Sequence, residues 1–449
     1  VKSRASARRA SEQLTSVSGD DFRAEIARIQ QQTLAKIRGK RPSFLAGLRL
    51  RIQEDFWERP LRDKFRFLFY VLNWGSKRLF TRLSRNPAYR PAPSGNRPDN
   101  RIRVAIFATG SLGDYVSVAG VVKSFHRQHP LVDIDFFCAK PRYADFVFHD
   151  AEYVEHIYDC TYFDAVREIY DLVITVTHLV RYEALDKRRI ARLDSALAAN
   201  LDVADERFRQ FERYFDMHPF LDGAFARKMA KLGMNRSDAF AFFGNLEIAD
   251  QDLACISPDA SKHSILATAD VLGKKYVTVA NEFDKDYLTI SRTATKCWPA
   301  EHWAEFVRLF KHRYPDILIV QLGMSRERRI AGVDVDLVGK TDLHEAAWIL
   351  RHSLVHIDHE SGLVRLAHAL QTRSIVMFGP TSAPFFSFPT NINIVARSCH
   401  DCWWVKQDWM SFCPRGFEQP ICMRDISPQE VIDAAAVMLF PIDTTAAAD

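Results

Sequence analysis

No stretch of this 449-residue chain reaches the roughly 18 consecutive apolar residues that a membrane-spanning helix needs. The first thirty residues hold no apolar h-region, so a secretory signal is not expected and a cytoplasmic location is. Disulfides are therefore not expected among the eight cysteines. No internal repeat is evident. His263, His344, His356, His359 and His368 show no ligand spacing, with only His359 drawing notice, as the neighbour of Glu360. The dinucleotide fingerprint Gly-x-Gly-x-x-Gly is missing from the first strand-to-helix turn.

What is present is the composition of a globular protein, 47% hydrophobic and 26% charged, with length for two or three domains. The net charge of +5 hides an asymmetry. Residues 1–100 hold 22 Lys+Arg against 9 Asp+Glu, a net +13, and the remainder carries a net −8. A basic arm suits an anionic membrane surface or an acidic partner, and equally a solvated leader. The pattern predicts disorder over 1–20 and helices over 21–38 and 43–85. The second stretch mixes Phe65, Phe67, Phe69 and Trp74 with Arg62, Lys64 and Arg66. Such a segment lies in a membrane interface, packs on the body, or pairs with another subunit. Residues 86–98, rich in Pro, are read as a linker.

Two α/β units follow. The first opens with the apolar strand 103–109, the turn Gly110-Ser-Leu-Gly-Asp114 and a helix over 114–129. Strands are expected near 132–138, 154–158 and 171–177, then helices over 181–200 and 203–234. Residues 255–262 read as the crossing. The second unit starts at strand 276–280. A helix opens at Pro299, with Trp303, Phe306, Val307 and Phe310 on one face. Strands are expected over 316–322, 354–358 and 374–378, and helices over 342–351 and 361–370. The expected domains are a basic helical extension and linker at 1–98, a Rossmann-like lobe at 99–262, and a second at 263–449. Two doubly wound lobes with a cleft form the natural α/β architecture.

Ligands bind at the carboxyl edge of parallel sheets, and the strand-to-helix turns here carry suitable groups. Asp114 places a carboxylate at a helix start, where it serves as a general base or simply favours the helix dipole. Lys296, with Ser291 and Thr293 just upstream, precedes a helix and suits phosphate oxygens. Glu360-Ser361-Gly362-Leu363 starts another helix. Gly362 permits close backbone approach, Glu360 suits sugar hydroxyls, and Arg365 suits a phosphate or a nearby acid. Gly379 and Thr381 end the next strand. Cys399, Cys402, Cys413 and Cys422 form Cys-x2-Cys-x10-Cys-x8-Cys, a thiolate set for a tetrahedral zinc or iron. Four thiolates leave no open position, so such a metal is structural. The alternative is four unligated thiols beside Trp403, Trp404, Trp409 and Phe412. Cys138, Cys160, Cys255 and Cys297 read as packing residues.

Over roughly 102–440 these motifs, in this order, resemble glycosyltransferase family 9, the bacterial heptosyltransferase-like enzymes. Lys296-x-Trp-Pro resembles the family's donor-phosphate motif, and Gly339-Lys-Thr-Asp-Leu its Gly-Lys-Thr-x-Leu. Glu360-Ser-Gly-Leu-Val-Arg-Leu resembles Asp-Ser/Thr-Gly-Leu-x-His-Leu, with Glu360 in place of Asp and Arg365 in place of His. The cysteine set is similar to the iron-binding finger of autotransporter heptosyltransferases. The resemblance implies a GT-B fold, a nucleotide-diphosphate sugar donor of the ADP-heptose kind, inversion without a catalytic metal, and Asp114 as general base. The acceptor is left open among glycan, lipid-linked and protein hydroxyls. The expected setting is cytoplasmic, with the basic arm a candidate for peripheral contact at the inner face of the inner membrane, and nucleic acid is not an expected partner. Two other readings stay open: a sugar-nucleotide epimerase, and a non-catalytic assembly protein on the same fold.

Overall fold

The computed structural model describes residues 19–36, 64–65, 100–253, 256–284, 294–324 and 328–440. The basic aromatic stretch 43–85, save for 64–65, and the linker 86–98 lie outside the described residues. The chain divides into two compact units between Ser257 and Pro258. Helix α1 (Gly19–Lys36) belongs to the C-terminal unit. No helix among the described residues is long and apolar enough to cross a membrane.

The N-terminal unit is built on a five-stranded sheet. Its elements are β1 (Ile102–Ala108), α2 (Leu112–Gln128), β2 (Val132–Cys138), α3 (Pro141–Val147), β3 (Val154–Asp159), β4 (Leu172–Val176) and β5 (Val180–Ala184). The strand order is β3-β2-β1-β4-β5, and only the β4–β5 pair is antiparallel. Strand β1 sits between β2 and β4, so its apolar residues are covered on both faces, and Ile102, Val104, Ala105 and Ala108 are fully buried.

The helices expected over 181–200 and 203–234 are corrected. Residues 180–184 pair with β4 as a strand, and two helices follow, α4 (Lys187–Leu193) and α5 (Ser195–Arg209). Val180 is buried and Glu183 exposed, the alternation of an edge strand. Asp186 and Asp194 then cap the two helices, accepting from the N–H groups of Arg189 and Leu197. Beyond Pro219 the chain restarts as α6 (Asp222–Lys231) and α7 (Arg236–Gly244).

The C-terminal unit holds a six-stranded parallel sheet. Its elements are β6 (Tyr276–Val279), α8 (Ala300–Arg313), β7 (Leu318–Gln321), β8 (Val335–Asp336), α9 (Leu343–Arg351), β9 (His356–His359), α10 (Gly362–Ala369), β10 (Ser374–Phe378), β11 (Ile392–Val395), α11 (Ile421–Asp425) and α12 (Pro428–Leu439). The order is β11-β10-β9-β6-β7-β8. The expected face of α8 is buried: Trp303, Phe306, Val307 and Phe310. Ile26 and Ile29, one turn apart on α1, enter the same core. Burying two such side chains contributes about 3–6 kcal/mol before ordering costs.

Both sheets reverse direction in strand order, at β1/β4 and at β6/β9. Such switch points are where open α/β sheets bind ligands at the carboxyl ends of their strands.

Candidate active site and cysteine cluster

At the switch point of the C-terminal sheet, β9 leads directly into α10. Asp358 is fully buried near the end of β9. Ser361 Oγ donates to Asp358 Oδ2 at 2.5 Å. The same Oγ accepts the N–H groups of Leu363 at 3.1 Å and Val364 at 3.3 Å, capping α10. His359 Nδ1 lies 3.0 Å from Asp358 Oδ1, and His356 Nε2 lies 3.7 Å from Oδ2. Burial alone would raise the Asp358 carboxyl, but the charges and hydrogen bonds of His359 and His356 outweigh it and hold it down at about 2. Asp358 was not singled out as a site residue from sequence. Its signal is positional: an acid at a strand end, three residues before a helix-capping Ser.

Glu360 sits between two cations. Lys296 Nζ donates to the Glu360 carbonyl at 2.9 Å and lies 3.8 Å from its carboxylate. Arg365 Nη2 donates to Glu360 Oε1 at 3.1 Å. Burial pushes the Glu360 carboxyl up, and Lys296 and Arg365, with His359, more than reverse this and hold it below its ordinary value. Arg365 also lies over the Phe386 ring, 5.1 Å from its centroid. The structure thus brings together Lys296, Glu360, Ser361, Gly362, Leu363 and Arg365. Ser291 and Thr293 lie outside the described residues.

Two further motif residues have structural surroundings. Gly379 follows β10, and a Cβ there would meet Met423 Sδ at 2.4 Å and Cys422 Sγ at 3.0 Å. The absence of a side chain therefore lets this turn pack against α11. Thr381 is buried two residues on. Gly339 has φ +69 and donates to the Gly323 carbonyl at 2.7 Å, and the exposed Lys340 reaches the Asp336 carbonyl. Asp342 and Glu345 form the expected capping box on α9.

In the N-terminal unit, Asp114 stands in the first turn of α2, just past β1. Its Oδ2 accepts the Ser111 N–H at 2.9 Å, and Arg236 Nη2 reaches its Oδ1 at 2.9 Å. Gly110, at φ +125, makes room: a Cβ there would lie 2.3 Å from Asp114 Oδ2. Arg236 is buried at the start of α7. Sequence reading missed it, because nothing local marks a partner 122 residues away.

The four cysteines converge. Cys399, Cys402 and Cys422 are buried and Cys413 is half-buried. Burial raises every one of these thiols, and each of the four sulfurs lies within electrostatic reach of the other three. That is the environment in which a cation is most favoured, because it takes up thiolate charge that burial otherwise suppresses. Arg415 hydrogen-bonds Cys399 and pairs with Glu25 of α1 at 2.8 Å. The donor set fits a tetrahedral metal. Among the described residues, the ligand-type side chains whose ligand atoms lie within 4.8 Å of one another are those of His178, His218 and Asp222, and the four sulfurs do not share that spacing. Cys138 and Cys297 are buried and Cys160 half-buried, and Cys255 lies outside the described residues.

Residues 248–404 match the family model of glycosyltransferase family 9 (heptosyltransferase). The match covers the Lys296 and Glu360–Arg365 motifs and the first two cysteines of the quartet. The resemblance read from the motifs and the family model thus agree. Solved structures align with this chain. The dodecameric iron-containing heptosyltransferase TibC, in complex with ADP-D-beta-D-heptose, aligns at TM-score 0.51 and 14% identity over 76% of each chain. ADP-heptose lps heptosyltransferase II from E. coli aligns at TM-score 0.47 and 14% identity, over 75% of this chain and 98% of its own. WaaC, an E. coli heptosyltransferase solved with ADP, aligns at TM-score 0.44 and 16% identity, over 75% of this chain and all of its own. No curated protein sequence matches the chain. The architecture is α/β with parallel-dominated sheets, and it matches the fold of TibC.

Proposed function

We propose that this chain is an inverting glycosyltransferase, moving a sugar from a nucleotide-diphosphate sugar of the ADP-heptose kind to a hydroxyl of a glycan, lipid-linked or protein acceptor. The observation that carries the proposal is the Lys296–Glu360–Arg365 cluster at the start of α10, at the strand-order reversal of the C-terminal sheet. An ammonium and a helix N-terminus at one point suit a diphosphate. The family model and the ADP-D-beta-D-heptose bound to TibC support that donor class.

Each group has a task. Lys296 and the Gly362 N–H meet the diphosphate, on which negative charge builds as the glycosidic bond breaks. Donors fixed in advance stabilise that charge without reorganising. Glu360, held from both sides, accepts from sugar hydroxyls. Ser361 and Asp358 lie beneath and fix the direction of α10. Asp114 takes the proton of the acceptor hydroxyl, its carboxylate aimed by Ser111 and Arg236. The cysteine quartet holds a structural iron or zinc and takes no part in the chemistry. The iron in TibC favours iron by analogy.

Calorimetry with ADP and with ADP- and UDP-sugars tests the donor. Lys296→Ala should weaken ADP binding by about 10–100-fold, the worth of one charge-assisted hydrogen bond. In a transfer assay Asp114→Asn should lower turnover by about 10²–10⁴ with ADP affinity kept. An Asp114→Asn enzyme that transfers sugar at the wild-type rate removes the base assignment. A chain that binds none of these nucleotides removes the whole reading.

A further inference from the structure

The N-terminal unit holds a second cluster of ligand-type side chains. His178 lies two residues beyond β4, at the carboxyl end of the strand beside β1. His218 and Asp222 stand four residues apart at the entry to α6. His218 Nδ1 lies 2.9 Å from Asp222 Oδ2, and His178 Nε2 lies 3.3 Å from the same oxygen. One ligand atom from each of the three residues lies within 4.8 Å of the other two. His178 and Asp222 are buried, and His218 is half-buried.

We propose that His178, His218 and Asp222 bind a divalent transition-metal cation, with zinc the best match. Zinc bonds of about 2.0–2.2 Å to imidazole nitrogen and carboxylate oxygen put the edges of a tetrahedral shell near ~3.4 Å. The observed separations of 2.9 and 3.3 Å from the shared carboxylate oxygen are close to that, and all three ligand atoms lie within 4.8 Å of one another. Two imidazoles and a carboxylate are a borderline donor set that suits zinc and excludes the hard, oxygen-seeking magnesium and calcium. The surrounding charge is also favourable. Arg236 approaches His178, but its guanidinium is matched by Asp114 at 2.9 Å. Asp222 then leaves the neighbourhood net negative. Three protein ligands leave a fourth position for water or an oxygen ligand.

The rival is a carboxylate that accepts hydrogen bonds from two protonated ring nitrogens and holds no ion. Zinc content separates the two. The cysteine quartet is first disabled by Cys399→Ser with Cys402→Ser in the full chain, which is then equilibrated with zinc and dialysed. One zinc per chain should remain, and His218→Ala or Asp222→Asn in that background should weaken its binding by at least about 100-fold, beyond the cost of losing a supporting contact. Retention of no zinc by a folded quartet-disabled chain overturns the proposal, as does retention undiminished in both further variants. Should the serine changes unfold the protein, cobalt titration of the otherwise unaltered chain gives the same decision. Binding at this cluster adds visible bands without thiolate-to-cobalt absorption, and His218→Ala abolishes those bands alone. A titration in which every cobalt band carries thiolate character overturns the proposal.

Discussion

Replacing Ser361 by Ala tests the arrangement under α10 directly. The hydroxyl does two things at once. It accepts the N–H groups of Leu363 and Val364, and it donates to the buried carboxylate of Asp358. Loss of an N-cap costs about 1 kcal/mol. Loss of a hydrogen bond to a buried charged group costs about 1.5–3 kcal/mol. Alanine also leaves a buried oxygen of Asp358 short of a donor, so the two effects add rather than overlap. The C-terminal unit should lose about 2–4 kcal/mol, a fall in Tm of roughly 5–15 °C for a unit of this size. That unit holds six of the eight tryptophans, including the buried Trp298 and Trp303, so fluorescence follows its unfolding in urea. Ser361→Thr keeps the hydroxyl and should recover most of the loss. If Ser361→Ala unfolds within about 0.5 kcal/mol of the parent, the hydroxyl does not join strand, helix and acid as described.

Two other outcomes follow. Glu360 and Arg365 replace the Asp and His of the family motif together, and they touch, so their effects should couple. Arg365→His alone should weaken ADP-sugar turnover more than it does in the Glu360→Asp background, and a double-mutant cycle should give at least about 0.5 kcal/mol of coupling. Asp358 is held at about 2, below its ordinary value. Its ionised form is thus favoured by folding. That stability is present above pH 4 and is lost as the pH falls toward 2. The stability gap between the parent chain and Asp358→Asn should therefore be constant from pH 5 to 6 and narrow by on the order of 2 kcal/mol by pH 2 in denaturant titrations.

Most strands of both sheets were legible because a buried parallel strand is a short apolar run, and 132–138 and 374–378 coincide with β2 and β10, whereas the half-exposed edge strands β8 and β11 carry no such run and were not read. The amphipathic face of α8 was legible from its spacing alone. Residues 180–184 were not, because Val-Arg-Tyr-Glu-Ala suits a helix until its pairing with β4 is known. The site divides in the same way. Lys296, Glu360 and Ser361 are marked by their place at strand-to-helix junctions. Arg236 at Asp114, and His178 beside His218 and Asp222, are joined only by the folded chain, over separations that leave no periodicity to read.

Glu25 and Arg415 are 390 residues apart, and their contact sits beside a cysteine of the quartet. On a ribosome adding about 5–20 residues per second, α1 emerges on the order of 20–80 s before its partner exists. During that interval Ile26 and Ile29 have nothing from this unit to cover them. Helix α1 is therefore seated only when the far end of this unit has been made, and deleting that helix would be felt at the cysteines rather than at the sheet that follows it in the chain.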